Sequence, residues 1–147
     1  MKIVRDFEYK LLCPVKYSAG ADFKDAKMLL ISSPSNRQIK IASKLKQYVM
    51  EAVGKMRNEF KGNDKEIEAA ANAKKDDGSE AAASYTMIMQ MAGIEMEQVY
   101  DIFERLLLDG KTCLLDGKEP LKSINFGDMD FRDTERLLGE YIAHFFM

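Results

Sequence analysis

The sequence predicts an α+β fold, mostly α-helical, in which an N-terminal β-hairpin packs on a small bundle of about four helices. Two observations support this prediction. The front of the chain holds two short apolar segments bounded by turn residues, and the rest repeats its apolar residues at helical spacing. The chain has 147 residues and a hydrophobic content of 46%. We therefore expect a single domain over residues 1–147 with a core of ordinary size.

The hairpin is predicted from two segments with strand character. FEYKLLCPV (7–15) alternates apolar and polar residues, and KMLLISS (27–33) is an apolar run too short for a helix. Between them, YSAGADFKD (17–25) holds Gly20 and small polar residues, which predicts a long loop. Because an isolated hairpin is marginally stable in water, its apolar face should rest on helices.

The first helix is predicted to begin after Pro34. Ser35 and Gln38 have the spacing of a capping box, in which the two side chains bind each other's backbone N–H groups. An apolar stripe follows at steps of three and four: Ala42, Leu45, Val49, Ala52, Met56 and Phe60. The helix should end near Lys61 and Gly62, where glycine can adopt the left-handed cap conformation.

Residues 62–80 lose almost all large apolar side chains, as GNDKEIEAAANAKKDDGSE shows. Such a segment has little to bury against a core. We interpret it as an exposed linker or insertion.

The next segment, EAAASYTMIMQMAG (80–93), fits two interpretations. Its alanines favour a helix, whereas Met87, Met89 and Met91 alternate as in a strand. We interpret it as a helix. IEMEQVYDIFERLLLDG (94–110) has the wide apolar face of an amphipathic helix.

The end of the chain is predicted to be one more helix. TCLLDGKEPLKSINFGD (112–128) is interpreted as a connection with a turn at Asp116 and Gly117, and Asp130 can cap the helix that follows. Six apolar residues share one side of that helix: Leu137, Leu138, Tyr141, Ile142, Phe145 and Phe146.

Residues suited to catalysis or metal binding do not form a recognisable pattern, so no enzyme activity, cofactor or metal is expected. His144 is the only histidine, and Cys13 and Cys113 are far apart and interpreted as free thiols of a reducing compartment. The acidic cluster DMDFRD (128–133) lacks the pattern of a calcium loop and is interpreted as a helix N-terminus rich in acids. No apolar run approaches the roughly 20 residues of a membrane helix.

The helix over residues 35–61 is basic, and Arg37, Lys40 and Lys44 fall on one face that could follow phosphates. The sequence pI of ≈ 5.5 argues against nucleic acid as the main partner. A solvated basic face is the simpler interpretation.

Methionine-rich and phenylalanine-rich helices are the candidate partner-binding surfaces, because flexible or exposed apolar side chains suit a surface that a second protein covers. Core filling is the alternative for the methionines. We expect Leu138, Tyr141 and Ile142 to pack on the helix over residues 94–108, with Phe145 and Phe146 at the rim. The candidate residues are Met87, Met89, Met91, Tyr141, Phe145 and Phe146.

The order of these segments resembles the small tail assembly chaperones of tailed bacteriophages. The matching stretches are KLLCPVKY (10–17), KMLLISSPSNRQI (27–39) and FGDMDFRDTERLLGEYIAHFF (126–146). The resemblance implies a non-enzymatic protein that binds the tape measure protein and helps recruit tail tube subunits. It also implies action in the host cytoplasm and absence from the mature virion.

Two other functions compete with this one. The chain could be a small phage-encoded protein that binds and inhibits a host factor. It could also be a nucleic-acid-binding regulator that uses the basic helix 35–61.

The charge distribution predicts self-association. Residues 1–62 hold 13 Lys/Arg against 6 Asp/Glu, whereas residues 95–147 hold 6 against 12. A basic front and an acidic back attract each other, either within one subunit or head to tail between subunits, and salt screens that attraction. Sedimentation at low and high salt should therefore show a larger species at low salt, and a monomer under all conditions would remove this expectation.

Overall fold

A computed structural model describes residues 6–59 and 78–146 and confirms the α+β class. Its elements are β1 (Asp6–Ala19), β2 (Asp22–Ser32), a 3-10 turn (Asn36–Gln38), α1 (Ile39–Glu59), α2 (Gly78–Met91), α3 (Met96–Leu107), β3 (Cys113–Leu115), β4 (Glu119–Pro120), α4 (Ser123–Asp128) and α5 (Phe131–Phe145). The described part thus holds five α-helices, and the one that the sequence did not predict is the short α4.

The residues cluster into two compact units. Unit 1 comprises Met1–Ala42 and Phe103–Thr134, and unit 2 comprises Ser43–Ile102 and Glu135–Met147. Most of the predicted linker, residues 62–77, lies outside the described residues. Residues 78–80 form the start of α2.

Unit 1 is built on a four-stranded antiparallel sheet in the order β1-β2-β3-β4. The predicted long loop over residues 17–25 is wrong, because most of it belongs to β1 and β2. Ala19 pairs with Asp22, so the connection has only two residues, and Gly20 supplies the positive φ of +70° that such a tight turn needs. The small polar residues of this stretch lie at the ends of two strands, where most residues are exposed, and in the turn between them.

A second hairpin corrects the interpretation of residues 112–128 as a mere connection. β3 pairs with β2 through Leu29 and Leu115, and β4 pairs back on β3. The predicted turn at Asp116 and Gly117 is confirmed, with φ of +52° and +71°. The strands of this hairpin are three and two residues long, too short for an alternating pattern to be visible in the sequence.

The middle of β1 is irregular, and a buried carboxylate binds the backbone there. The strand register shifts between Lys10 and Val15, around Pro14, which has no N–H group to give to a neighbouring strand. Asp133 of α5 is fully buried. Its Oδ1 accepts hydrogen bonds from Leu12 N and Tyr9 Oη, both at 2.8 Å, and its Oδ2 accepts one from Cys13 N at 3.1 Å. One side chain therefore satisfies the backbone donors that the irregularity removes from strand pairing.

Asp116 binds backbone amides of β2 in the same way. Its Oδ1 accepts hydrogen bonds from Lys27 N at 3.0 Å and Met28 N at 3.4 Å, and its Oδ2 accepts one from Tyr17 Oη at 3.2 Å. Lys27 lies opposite the irregular part of β1. Each long strand of the hairpin thus has a carboxylate that binds two backbone amides and a tyrosine hydroxyl.

The two edges of the sheet are β1, which a side chain of α4 binds, and the short strand β4. Asn125 of α4 is buried, and its Nδ2 donates to the Lys16 carbonyl oxygen at 3.0 Å. At the opposite edge, β4 has only two residues, one of which is Pro120.

The start of α1 follows the predicted pattern. Gln38 Oε1 accepts a hydrogen bond from Ser35 N at 3.3 Å, and Gln38 Nε2 donates to the Leu106 carbonyl at 2.8 Å. In unit 2 the predicted apolar stripe is buried at Leu45, Val49, Ala52 and Met56. Phe60 and the predicted end at Lys61 and Gly62 lie outside the described residues.

The two cysteines are free thiols in different surroundings. Cys113 on β3 is fully buried, and this burial, with the Asp109 carboxylate as a second cause, raises the pKa of its thiol to about 12. Cys13 is partly exposed, and Arg132 Nη2 lies 3.9 Å from its Sγ.

We expect Asp133→Ala to lower the free energy of unfolding by about 3 kcal/mol or more, because it leaves a buried hydroxyl and two amides without their acceptor. Asp128→Ala is the matched control within the same acidic cluster, since Asp128 is exposed at the end of α4. It should change stability by less than about 0.5 kcal/mol. Urea unfolding curves measure both. Equal effects of the two variants would contradict this account, and Tyr9→Phe, which removes a single bond, should cost about 1 kcal/mol.

We also expect stability to fall above pH 9. The unfolded Cys113 thiol ionises near its ordinary pKa of 9.0, whereas the folded thiol keeps its proton to about pH 12. Its contribution is therefore complete below pH 9 and decreases by about 1 kcal/mol between pH 9 and 10. Cys113→Ala should flatten this slope in urea unfolding, and Cys13→Ala should leave it unchanged. An unchanged slope in Cys113→Ala would refute the expectation.

Candidate functional site

Of the candidate methionines on α2, two are exposed and one is buried. The prediction of a helix over this segment is confirmed. Met87 and Met91 are 57% and 56% exposed and, four residues apart, share one face of α2. Met89 is 1% exposed and belongs to the core of unit 2. The prediction that Met89 is an accessible partner-binding residue is therefore wrong. Met89 is two positions from Met87 and from Met91, and residues two apart lie on opposite sides of a helix.

The C-terminal end of α5 also holds both buried and partly exposed aromatic side chains. Leu138, Tyr141 and Ile142 are fully buried, so Tyr141 does not offer a surface to a partner. Their packing on the helix over residues 94–108 stays a prediction. Phe145 and Phe146 are half-buried, which confirms their position at a rim. Their rings meet the Tyr141 ring edge-on, with centroids 4.9 and 5.8 Å away. Tyr141 thus fixes the two phenylalanines instead of binding a partner itself.

Unit 1 exposes apolar side chains that the sequence did not single out. Ile124 on α4 is 71% exposed, and Phe131 at the start of α5 is 61% exposed. Leu12 in the irregular part of β1 is also exposed. A helix of six residues is too short for an apolar period, so Ile124 gave no signal in the sequence.

The acidic cluster is structural. Asp130 caps α5, because its Oδ1 accepts a hydrogen bond from Arg132 N at 2.9 Å. The Arg132 guanidinium, with Nε 3.0 Å from the same oxygen, lowers the pKa of the Asp130 carboxyl. The predicted acid-rich helix N-terminus is confirmed, but the burial of Asp133 was not anticipated.

Burial shifts the pKa of Tyr100 in unit 2. Burial and then the Glu135 carboxylate raise the pKa of Tyr100 to about 12. Tyr48 Oη donates to Gln98 Oε1 at 2.7 Å, and Lys55 pairs with Glu51 at 3.5 Å. A raised tyrosine pKa keeps the hydroxyl neutral, so Tyr100 is not poised as a base.

Among residues 6–59 and 78–146, no group of three or more His, Cys, Asp or Glu side chains could hold a metal ion. None of the described helices is long and apolar enough to cross a membrane.

Arg37, Lys40 and Lys44 are all exposed, in agreement with a solvated basic face. The Arg37 side chain also lines a cleft in unit 1 together with Arg105 and Lys111.

Comparison of the chain with protein-family models, with curated proteins and with solved structures finds no match.

Proposed function

We propose that this chain is a non-enzymatic phage tail assembly chaperone that binds the tape measure protein and helps recruit tail tube subunits. It would act in the host cytoplasm and be absent from the mature virion. The observation that supports this proposal most is the exposed methionine pair on α2, Met87 and Met91. The order of segments along the sequence is the second support.

Large exposed apolar side chains are costly in water and are stabilised when a partner covers them. Methionine is unbranched and polarisable, so it adapts to partner surfaces of different shape. That property suits a chaperone for a long helical protein, whose successive turns present different side chains to the same surface.

Phe145 and Phe146 supply a second, more rigid element of the same unit. Their edge-on contacts with the buried Tyr141 ring restrict their motion, so less conformational entropy is lost when a partner covers them. We assign them a supporting role beside the methionine pair.

The test is co-expression of this chain with the long helical product of the neighbouring gene, scored by soluble yield and co-purification. Met87→Ser with Met91→Ser should weaken capture by at least about tenfold, because each buried methionine contributes about 1.5–3 kcal/mol. Phe145→Ala with Phe146→Ala should also weaken capture, and it should cost less stability than Leu138→Ala, which empties a fully buried position.

Met50→Ser is the matched control, since Met50 is an exposed methionine of unit 2 on a different helix, α1. It should leave capture within about twofold of the wild type. The proposal fails if the wild-type chain neither solubilises nor co-purifies with the neighbouring product. Capture of a host protein in its place would favour the inhibitor hypothesis.

A further inference from the structure

We propose that a cleft in unit 1 binds a small phosphate-bearing anion. One wall is formed by Ser35, Asn36, Arg37 and Gln38 with Ile41, and the other by Arg105, Asp109, Lys111 and Thr112. The cleft has a volume of ≈ 540 Å³, within the range of small-molecule sites. This inference does not depend on the proposed chaperone function.

The two walls are held together by hydrogen bonds to one carbonyl group. Gln38 Nε2 and Thr112 Oγ1 both lie 2.8 Å from the Leu106 carbonyl oxygen. Gln38 and Thr112 are each 4% exposed. Ser32 N also donates to the Thr112 carbonyl at 2.8 Å, which ties this wall to the end of β2. The cleft is therefore formed before any ligand arrives, which lowers the entropy lost on binding.

The cleft carries a local excess of positive charge. Arg37, Arg105 and Lys111 are exposed. Within the described ranges, no ion pair joins any of the three to a carboxylate. Asp109 is the one acidic residue of the lining, and its Oδ1 already accepts hydrogen bonds from Lys111 N and Thr112 N. The lining thus holds three cationic side chains and one carboxylate, and that carboxylate is already bound to the local backbone.

This arrangement suits phosphate better than a single carboxylate. Two guanidinium groups can each bind a phosphate through paired N–H donors, and the Lys111 ammonium adds a point charge. The Ser35 hydroxyl and the Asn36 amide can donate further hydrogen bonds. Ile41 offers an apolar contact to the organic part of a phosphate ester. The ligand class is therefore a small molecule with one or two phosphates.

The experiment is titration of the full-length, ¹⁵N-labelled protein with inorganic phosphate and with pyrophosphate at about 50 mM salt, where screening is moderate. We expect saturable shifts of the amides over residues 35–38 and 109–112, and tighter binding of pyrophosphate. Arg105→Gln should weaken binding by at least about tenfold. Lys24→Gln, which removes an equal charge at an exposed position on β2, should change binding by less than about twofold.

Asp109→Asn gives a test in the opposite direction. The amide oxygen can still accept the hydrogen bonds of residues 111 and 112, while the negative charge is removed, so pyrophosphate should bind about threefold tighter. The proposal is overturned if no shift saturates, if Lys24→Gln weakens binding as much as Arg105→Gln, or if the shifts follow Lys40 and Lys44 along α1. A single-stranded oligonucleotide that binds far more tightly than pyrophosphate, with steep salt dependence, would replace it with the nucleic-acid hypothesis.

Discussion

Unit 1 depends on one buried interaction, the Asp133 carboxylate bound to the backbone of β1. Fourteen residues of β1 run beside β2, yet the pairing is interrupted around Pro14. Unpaired N–H groups at such a position would be costly if nothing replaced their partners. Asp133 replaces them from a position that is 121 residues from Leu12 and 120 residues from Cys13 in the chain. Because Asp133 lies in the first turn of α5, the same contact fixes where that helix begins relative to the strand.

Asp116 binds backbone amides of β2 as Asp133 binds those of β1. It sits in the turn between β3 and β4, and the unusual positive φ of this non-glycine residue aims its carboxylate at the backbone of β2. Tyr9 and Tyr17 each place a hydroxyl on one of these carboxylates. The sheet is therefore held by side chains from outside the strands as well as by the ladder between them.

Local patterns in the sequence predicted the helices well and the long-range contacts poorly. The steps of three and four along α1, α3 and α5 are visible without any tertiary information, and so are the caps at Gln38 and Asp130. The second hairpin was missed because its strands are only two or three residues long. The role of Asp133 was missed because its partners are distant in sequence, and an acid in the first helical turn already has a local explanation. Among the candidate site residues, Met89 and Tyr141 were misassigned because alternation and apolar clustering do not tell which residue of a stripe reaches the surface.

The edges of the sheet have a consequence for aggregation. An open strand edge is a template on which another chain can add a strand, and long apolar edges of this kind start amyloid-like aggregation. Here α4 binds the β1 backbone at Lys16, Asp133 binds it at Leu12 and Cys13, and the far edge is a two-residue strand with a proline. Three backbone groups of β1 are thus already bound, and β4 offers only a short edge. A strand added at either place would have to displace these hydrogen bonds or pair over only two residues, so these parts of the edges disfavour cross-β pairing.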